Sequence, residues 1–191
     1  MRIITGTLKG RKLTTPAGAD IRPTSDRAKE SIFSIIDVRK HISGSIVLDL
    51  FAGSGNLGFE AISRGADQVV YVESSRVAVD HIDKTAREFR VDGKMYGICI
   101  LVEQYLKGPA RPFDLVFADP PYEYEHLTVL PDIILQNNWL KEDGWLILEH
   151  DKRHSFVTHP HCVYARPYGR TIVTIFSRTP APDSDTDIRN S

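Results

Sequence analysis

The feature that most constrains this chain is an apolar run, residues 46–50 (IVLDL), that leads into the glycine-rich stretch FAGSGNLG. The run is short and partly β-branched, which is typical of a buried central strand rather than a helix. Gly53 and Gly55 permit a tight turn whose backbone groups can approach a ligand closely. A helix is predicted from Asn56. A strand, a glycine turn and a helix in this order form a cofactor site at the carboxyl edge of a parallel sheet.

The residues around the glycines indicate which kind of cofactor binds. Gly53, Gly55 and Gly58 have the G-x-G-x-x-G spacing of a dinucleotide site, and Glu73 follows about 20 residues later. Asp49, however, lies at the end of the predicted strand, where its carboxylate would face a cationic or amino-bearing ligand and would repel a pyrophosphate. We therefore favour a cationic or amino-bearing cofactor, with a nicotinamide-dependent oxidoreductase as the alternative.

Length and composition exclude several classes of protein. The 191 residues fit one domain with a small extension, and 41% apolar and 26% charged residues are typical of a soluble globular protein. We expect neither a membrane span nor a signal peptide, because no apolar run reaches the roughly 20 residues that a span needs. Cys99 and Cys162 form no C-x-x-C pair, so we expect free thiols, no metal site and a cytoplasmic protein.

Positive charge is concentrated near the amino terminus. Residues 1–40 contain nine Lys or Arg against four Asp or Glu, whereas the whole chain has a net charge of -1. This asymmetry indicates either a polyanionic partner bound at that end or ordinary solvated surface charge. A β-hairpin is predicted there, and its tip and second strand would carry Lys9, Arg11 and Lys12.

A helix is predicted to follow the hairpin, capped by Thr24 or Ser25. Arg22, Arg27 and Lys29 place positive charge near its start, which the helix dipole disfavours. We interpret this mismatch as a sign of function.

The rest of the chain predicts an α/β fold. Strands are expected at residues 68–73, 95–102, 113–118 and 145–149, helices from 76 and over 127–137, and an antiparallel hairpin at 162–166 and 172–176. Glu73 ends the second strand, where its carboxylate would accept both hydroxyls of a ribose. The alternative role for Glu73 is helix capping, because two serines and a predicted helix follow it.

A second chemical motif, Asp119-Pro120-Pro121-Tyr122, follows the strand predicted at residues 113–118. The exocyclic amine of a nucleobase is a poor nucleophile, but two hydrogen-bond acceptors could hold it with its lone pair directed at a methyl donor. We predict that the Asp119 carboxylate and the Pro120 carbonyl are these acceptors, because two prolines supply no amide donors. Tyr122 offers a flat face on which an extruded base can stack. The alternative interpretation is a rigid turn with a solvent-facing tyrosine.

Together the motifs resemble the RsmD-type family of bacterial 16S ribosomal RNA guanine-N2 methyltransferases, over roughly residues 1–178. The matching stretches are RIITG, KGRKL, RPTSDR with Glu30 and Phe33, LDLFAGSG, DPPY, Glu149-His150, and Tyr168-Gly169 with Thr171. DLFAGSG by itself resembles motif I of class I S-adenosylmethionine-dependent methyltransferases. The family's usual residues near the end of the third strand are replaced here by LVEQYL, which leaves the adenine contact near Glu103 or Gln104 unassigned.

The resemblance implies a Rossmann-like, seven-stranded, mostly parallel sheet with an antiparallel C-terminal hairpin strand and an N-terminal β-hairpin extension. We expect a basic RNA-binding extension over residues 1–40, a methyltransferase catalytic domain over 41–178 and a disordered tail over 179–191. The implied activity is S-adenosylmethionine-dependent methylation of the N2 amine of a guanine in 16S ribosomal RNA. A monomer would act on a small-subunit particle, without a metal, and would flip the target base out of its helix.

The residues that the resemblance implicates form three groups. The catalytic group is Asp119, Pro120, Pro121 and Tyr122. The cofactor group is Asp49, Phe51, Ala52, Gly53, Ser54, Gly55, Glu73 and Asp119. The RNA-binding group, which would grip phosphates, is Lys9, Arg11, Lys12, Arg22, Thr24 and Arg27. His150 is expected to be structural rather than a catalytic base.

Three rival hypotheses accompany this one. Other amino-methylating enzymes, such as DNA adenine-N6 or protein glutamine methyltransferases, could also use a D-P-P-Y loop. A non-catalytic RNA-binding factor could have kept the fold. The nicotinamide-dependent oxidoreductase would leave both the D-P-P-Y motif and the basic arm unexplained.

Overall fold

A computed structural model describes residues 1–15 and 26–179 of the chain, and within them it contains one seven-stranded sheet. The strands are β1 (Ile46–Leu50), β2 (Gln68–Glu73), β3 (Met95–Cys99), β4 (Phe113–Ala118), β5 (Leu140–Asp151), β6 (Cys162–Tyr168) and β7 (Thr171–Ser177). The helices are α1 (Asp26–Arg39), α2 (Asn56–Ser63), α3 (Arg76–Phe89), α4 (Val102–Tyr105) and α5 (Leu130–Gln136), with a 3-10 turn at Asp92–Lys94.

The sheet confirms the predicted fold class. Its strand order is β3-β2-β1-β4-β5-β7-β6. The pairs β1–β2, β2–β3 and β4–β5 are parallel, whereas β7 is antiparallel to both β5 and β6. None of the helices in the described part of the chain is both long and apolar enough to cross a bilayer.

The chain divides into two compact units, Met1–Gly108 and Pro109–Ser191. The first unit contains the amino-terminal hairpin, β1 to β3 and α1 to α4, and the second contains β4 to β7 and α5. The predicted RNA-binding extension over residues 1–40 therefore belongs to the same unit as the glycine turn. Beyond residue 179 the predicted tail lies outside the described residues.

The strands that begin and end as predicted are mainly apolar, with a single acidic residue in each. β1, β2 and β4 have the predicted bounds, and nearly all of their residues are buried. Tyr71 on β2 is fully buried and donates its phenolic hydrogen to Asp83 on α3. A Cβ at Gly97, opposite it on β3, would lie 2.5 Å from that phenolic oxygen, so this strand position has no room for a side chain.

Three boundaries differ from the prediction by three residues or more. The third strand ends at Cys99 instead of residue 102. Val102 already belongs to the short helix α4, and both Val102 and Leu106, which follows that helix, are buried. α5 begins at Leu130 rather than residue 127, and Pro131 occupies its first turn, where a missing amide costs nothing. β5 begins at Leu140 rather than residue 145, and a register shift opposite β4 accommodates the predicted turn within the strand.

The predicted amino-terminal hairpin is confirmed, although its ladder is minimal. Arg2 and Lys12 form an antiparallel bridge, flanked by hydrogen bonds from the Ile3 amide to the Arg11 carbonyl (2.9 Å) and from the Leu13 amide to the Met1 carbonyl (3.1 Å). Ile3, Leu8 and Leu13 are buried, so the hairpin is packed onto the unit rather than projecting from it.

The hairpin is attached to α2 through its main chain. Its amides donate to the Glu60 carboxylate (Ile4, 2.8 Å; Thr5, 3.1 Å), to the Ser63 carbonyl (Thr7, 2.8 Å) and to the Ser63 hydroxyl (Leu8, 2.9 Å). Gly6 lies in the middle of this contact with φ +89°, and a Cβ there would overlap the Ser63 carbonyl. The close approach of the two backbones therefore requires glycine at this position.

A buried ion-pair network joins the hairpin, α1 and α2. The Lys29 ammonium and the Glu60 carboxylate are 3.4 Å apart, and both side chains are 0% exposed. Lys29 also donates to the Arg2 carbonyl (2.6 Å) and to Asn56 Oδ1 (2.8 Å), while Arg64 pairs with Glu60 at 2.9 Å. Lys29 thus has a structural role, and our interpretation of its charge as a sign of function is wrong. The unfavourable interaction of the Lys29 ammonium with the dipole of α1 is offset by its ion pair with the buried Glu60 carboxylate.

Candidate active-site loops

The glycine turn after β1 has an unusual backbone. Three residues within five adopt left-handed conformations: Phe51 (φ +59°), Gly53 (φ +57°) and Gly55 (φ +74°). Only the two glycines do so without steric cost, whereas Phe51 is held in a conformation that costs about 1 kcal/mol or more. The Ala52 amide donates to the Val72 carbonyl on β2 (3.1 Å), which ties the turn to the neighbouring strand. Backbone strain of this kind is characteristic of ligand-binding turns.

Asp49 is directed into the protein. It is 2% exposed, and its Oδ2 accepts a hydrogen bond from the Gly58 amide at 3.0 Å. This places the carboxylate at the amino-terminal end of α2, where the helix dipole favours negative charge. Asp49 therefore holds the amino-terminal end of α2 with one carboxylate oxygen, and the cofactor contact that we expect for this carboxylate stays a prediction.

Gly58 has a packing role. A Cβ at this position would lie 3.1 Å from both Asp49 Oδ2 and Val69 Cγ1, closer than such atoms normally approach. Close packing of α2 on β1 and β2 is thus sufficient to explain the third glycine of the G-x-G-x-x-G spacing. The spacing alone gives no support to a dinucleotide site.

Glu73 joins the glycine turn to the start of α3. Its Oε2 accepts from the Gly53 amide (3.0 Å), and its Oε1 accepts from the Ser75 amide (2.8 Å) and the Ser74 hydroxyl (3.3 Å). Ser75 is the N-cap of α3 and accepts from the Ala78 amide. The capping alternative for Glu73 therefore has direct structural support. The residue is half-buried, so its carboxylate also borders solvent beside the turn.

The D-P-P-Y loop begins where β4 ends, as predicted. Asp119 is half-buried, Pro120 is buried, Pro121 is exposed and Tyr122 is half-buried. The Pro121 carbonyl accepts from the Tyr124 amide at 3.0 Å, so the loop closes in a hydrogen-bonded turn. A guanidinium from a later loop, that of Arg153, contacts the Tyr122 carbonyl at 2.8 Å. Sequence analysis missed this contact because no local pattern around Arg153 indicates a partner some 30 residues earlier.

The predicted RNA-binding cations of the hairpin are at the surface, but they differ in their contacts. Lys9, Arg11 and Lys12 are all exposed. The Arg11 guanidinium lies over the Phe89 ring at 4.8 Å and donates to the Glu88 carbonyl at 3.4 Å, so it also packs against the carboxyl end of α3. Arg22 and Thr24 lie outside the described residues, as do Ser25 and the side chain of Arg27.

His150, near the end of β5, is buried in a fixed orientation. Its Nδ1 donates to the Asp151 carbonyl (2.9 Å), and its Nε2 is 2.8 Å from the Thr174 hydroxyl on β7. Burial lowers the pKa of His150 below its usual value, and the nearby His154 acts in the same direction, against the Asp151 backbone and side chain. These contacts support the structural role that we expected.

We expect His150 to make the protein less stable in mild acid. The unfolded chain binds a proton near pH 6.5 and the folded chain only at lower pH, so the free energy of unfolding falls as the pH drops through about 6.5. The loss approaches about 1.4 kcal/mol per pH unit between the two pKa values. Urea unfolding at about pH 7.5 and about pH 5.5 measures it, and His150→Gln should have a shallower pH dependence. Equal pH dependence in both proteins would contradict the prediction.

Comparison with known proteins identifies relatives over nearly the whole chain. The family model described as conserved hypothetical protein 95 matches residues 1–177. Ribosomal RNA small subunit methyltransferase D of Haemophilus influenzae is 34% identical over 161 residues, which cover 83% of this chain and 82% of the relative. The protein of the same name from Escherichia coli is 28% identical over 195 residues, covering 98% and 94%.

The same comparison extends to solved structures. The structure of yhhF from Escherichia coli superposes with a TM-score of 0.82 at 27% identity, covering 95% of this chain and 99% of that one. The chain therefore belongs to the conserved hypothetical protein 95 family, the RsmD family of methyltransferases.

Proposed function

We propose that this chain uses S-adenosylmethionine to methylate the exocyclic N2 amine of a guanine in 16S ribosomal RNA. One observation carries the proposal: in a member of a methyltransferase family, the buried strand β4 ends in the loop Asp119-Pro120-Pro121-Tyr122. The relatives named ribosomal RNA small subunit methyltransferase D support ribosomal RNA as the substrate. The exocyclic amine follows from the chemistry of the loop, which offers hydrogen-bond acceptors and a flat ring.

The residues of the glycine turn fit the proposed cofactor. Glu73 Oε2 holds one main-chain amide and has capacity for a ribose hydroxyl, whereas on Oε1 a second ribose hydroxyl would replace the longer bond from the Ser74 hydroxyl. The absence of side chains at Gly53 and Gly55 lets the main chain approach a ligand closely. Asp49, Phe51, Ala52 and Ser54 complete the proposed cofactor turn. When bound, S-adenosylmethionine supplies an electrophilic methyl group.

The catalytic work of the chain is positioning. We assign the Asp119 carboxylate and the Pro120 carbonyl to accept the two hydrogens of the guanine amine, which directs its lone pair toward the methyl donor. The Tyr122 ring stacks on the flipped base, with Pro121 keeping the loop rigid. The methylated amine then loses its extra proton to Asp119 or to water. Asp119 is proposed to contact the cofactor as well.

The amino-terminal extension, residues 1–40, is proposed to bind the RNA. The exposed cations Lys9, Arg11 and Lys12 would neutralise phosphates, and Arg22, Thr24 and Arg27 belong to the same proposed group. Such binding depends strongly on salt concentration, since it releases counterions. We propose that the protein acts as a monomer in the cytoplasm on a small-subunit particle, and that residues 41–178 form the catalytic part.

Transfer of a labelled methyl group tests the substrate class. The protein is incubated with labelled S-adenosylmethionine and, in separate reactions, with small-subunit particles from cells that lack it, bare 16S RNA, DNA and total protein. We expect label in 16S RNA, in the particle or in the bare RNA. Labelling only of DNA or only of protein would replace the ribosomal substrate with the corresponding rival.

Mass mapping of modified bases tests the acceptor atom. RNA from cells with and without the protein is digested and compared, and one N2-methylguanosine is expected to be lost. Loss of a different modified base would overturn the assignment to guanine N2 while leaving methyl transfer in place.

We expect Glu73→Gln to weaken cofactor binding. The variant keeps one carbonyl oxygen but loses the charge. A hydrogen bond to a charged group is worth about 1.5–3 kcal/mol, so the Kd for S-adenosylmethionine should rise by roughly 10- to 100-fold. Isothermal titration with S-adenosylmethionine measures the effect. Glu88→Gln, an exposed carboxylate on α3, is the matched control and should bind like the wild type. Wild-type affinity in Glu73→Gln would remove Glu73 from the cofactor group.

A further inference from the structure

A side chain of the loop that follows β5 contacts the D-P-P-Y loop. The Arg153 guanidinium donates from Nη2 to the Tyr122 carbonyl at 2.8 Å. Nη1 and Nη2 each lie 3.4 Å from Glu123 Oε1. Both segments belong to the second unit, so this contact lies within one compact part of the chain.

Arg153 is itself held in place by Asp151, the last residue of β5. The Arg153 amide donates to Asp151 Oδ1 (2.9 Å) and the Arg153 Nε donates to Asp151 Oδ2 (2.6 Å). The Asp151 side chain is only 15% exposed, whereas that of Arg153 is 54% exposed. A side chain that is half exposed would ordinarily sample many rotamers. Here the Asp151 carboxylate accepts hydrogen bonds from the amide and from Nε of Arg153, and this fixes the orientation of the guanidinium.

Of the contacts that Arg153 makes with Tyr122 and Glu123, the one to the Tyr122 carbonyl matters for the loop. Glu123 is 88% exposed and its contacts are long, so that ion pair is a weak surface interaction. The bond to the Tyr122 carbonyl is short and involves the main chain of the motif itself. This hydrogen bond holds the peptide plane that follows Tyr122. A fixed peptide plane in turn restricts the direction in which the tyrosine ring leaves the backbone.

We propose that Arg153, oriented by Asp151, is a positioning residue for methyl transfer: it holds the Tyr122 carbonyl and thereby the D-P-P-Y loop in the conformation that receives the acceptor base. The inference rests on the proposed function of this loop. Arg153 acts through Tyr122 and touches neither of the assigned acceptors. A lysine cannot replace it, because an ammonium lacks the rigid fork that serves Asp151 and the Tyr122 carbonyl together.

Single-turnover kinetics on 16S RNA test this role. Displacement of a reacting group by about 1 Å can cost on the order of a hundredfold in rate, so Arg153→Ala is expected to slow single-turnover transfer by roughly 10- to 100-fold. Arg153→Lys should recover little of the loss. The Kd for S-adenosylmethionine and the KM for RNA should stay within about twofold of wild type, because the lost contact serves neither ligand directly.

The neighbouring residue provides a matched control. Lys152→Ala removes one positive charge from the same loop, and Lys152 is exposed. It should leave the single-turnover rate unchanged. Guanidinium ion added at millimolar concentration should restore part of the rate of Arg153→Ala, whereas sodium chloride at equal ionic strength should not.

The outcomes separate this inference from the proposed function. If the wild type transfers no methyl group to RNA, the proposed function fails. If the wild type is active and Arg153→Ala transfers at the same rate, the positioning role alone is overturned. A raised KM for RNA with an unchanged single-turnover rate, shared by Arg153→Ala and Lys152→Ala, would also overturn it, since both cations would then bind phosphate.

Discussion

Replacing Asp119 with alanine is expected to lower methyl transfer by on the order of a thousandfold, with a far smaller loss of cofactor affinity. The carboxylate is assigned to hold one hydrogen of the acceptor amine, and to take up the proton that the amine releases. An amine whose lone pair is delocalised into the ring cannot react without that orientation. Single-turnover transfer to 16S RNA and titration with S-adenosylmethionine give the rate and the affinity separately.

Two further variants show which property of Asp119 matters. Asp119→Asn keeps the shape and one acceptor oxygen but loses the charge, so it should be impaired less than Asp119→Ala. Glu125→Gln removes an exposed carboxylate shortly after the motif and should react like the wild type. Unchanged turnover in Asp119→Ala would remove Asp119 from its assigned role.

The largest effect on stability is expected from Glu60→Ala. This change leaves the Lys29 ammonium buried without its carboxylate and deprives the Ile4 and Thr5 amides of their acceptor. Breaking a buried ion pair from one side costs about 3–5 kcal/mol, a large part of the roughly 5–15 kcal/mol that stabilises a typical domain. We therefore expect the free energy of unfolding to fall by about 4 kcal/mol, measured by urea unfolding followed by circular dichroism.

A surface glutamate is the control for this loss. Glu88→Ala removes an exposed partner that is 3.9 Å from Lys84, and it should cost less than about 0.5 kcal/mol. Replacing both Lys29 and Glu60 by apolar residues should cost less than the two single changes added together, since no uncompensated charge is then buried. A loss in Glu60→Ala no greater than in Glu88→Ala would show that the network does not stabilise the fold.

What the sequence predicted well was encoded locally. β1, β2 and β4 are mainly apolar runs flanked on at least one side by serine or proline, and their bounds are as predicted. The start of β5 was wrong because residues 140–144 combine charged residues with a glycine, a pattern typical of a turn. In the structure Lys141 pairs with Asp114 on β4 (2.8 Å), and that partner makes the segment part of the strand.

The site shows the same division between local and distant information. The sequence indicated the glycine turn and the D-P-P-Y loop, because each is a contiguous motif at the end of a strand. The role predicted for the charge of Lys29 was wrong, because its carboxylate partner, Glu60, is 31 positions away on another helix. The sequence also carried no indication that Asp49 holds the Gly58 amide, because only the packing of α2 on the sheet brings these groups to 3.0 Å.

The attachment of the hairpin has a consequence for how its surface can change. Amide groups make the main contacts with α2, and the exposed side chains of Thr5, Lys9 and Lys12 take no part in these amide bonds. Exposed residues of the hairpin can therefore be exchanged for others of different charge or size without weakening its attachment, provided that Gly6 and the buried Leu8 are kept. The fold thus separates the exposed side chains of the hairpin from the main-chain groups that attach it to α2.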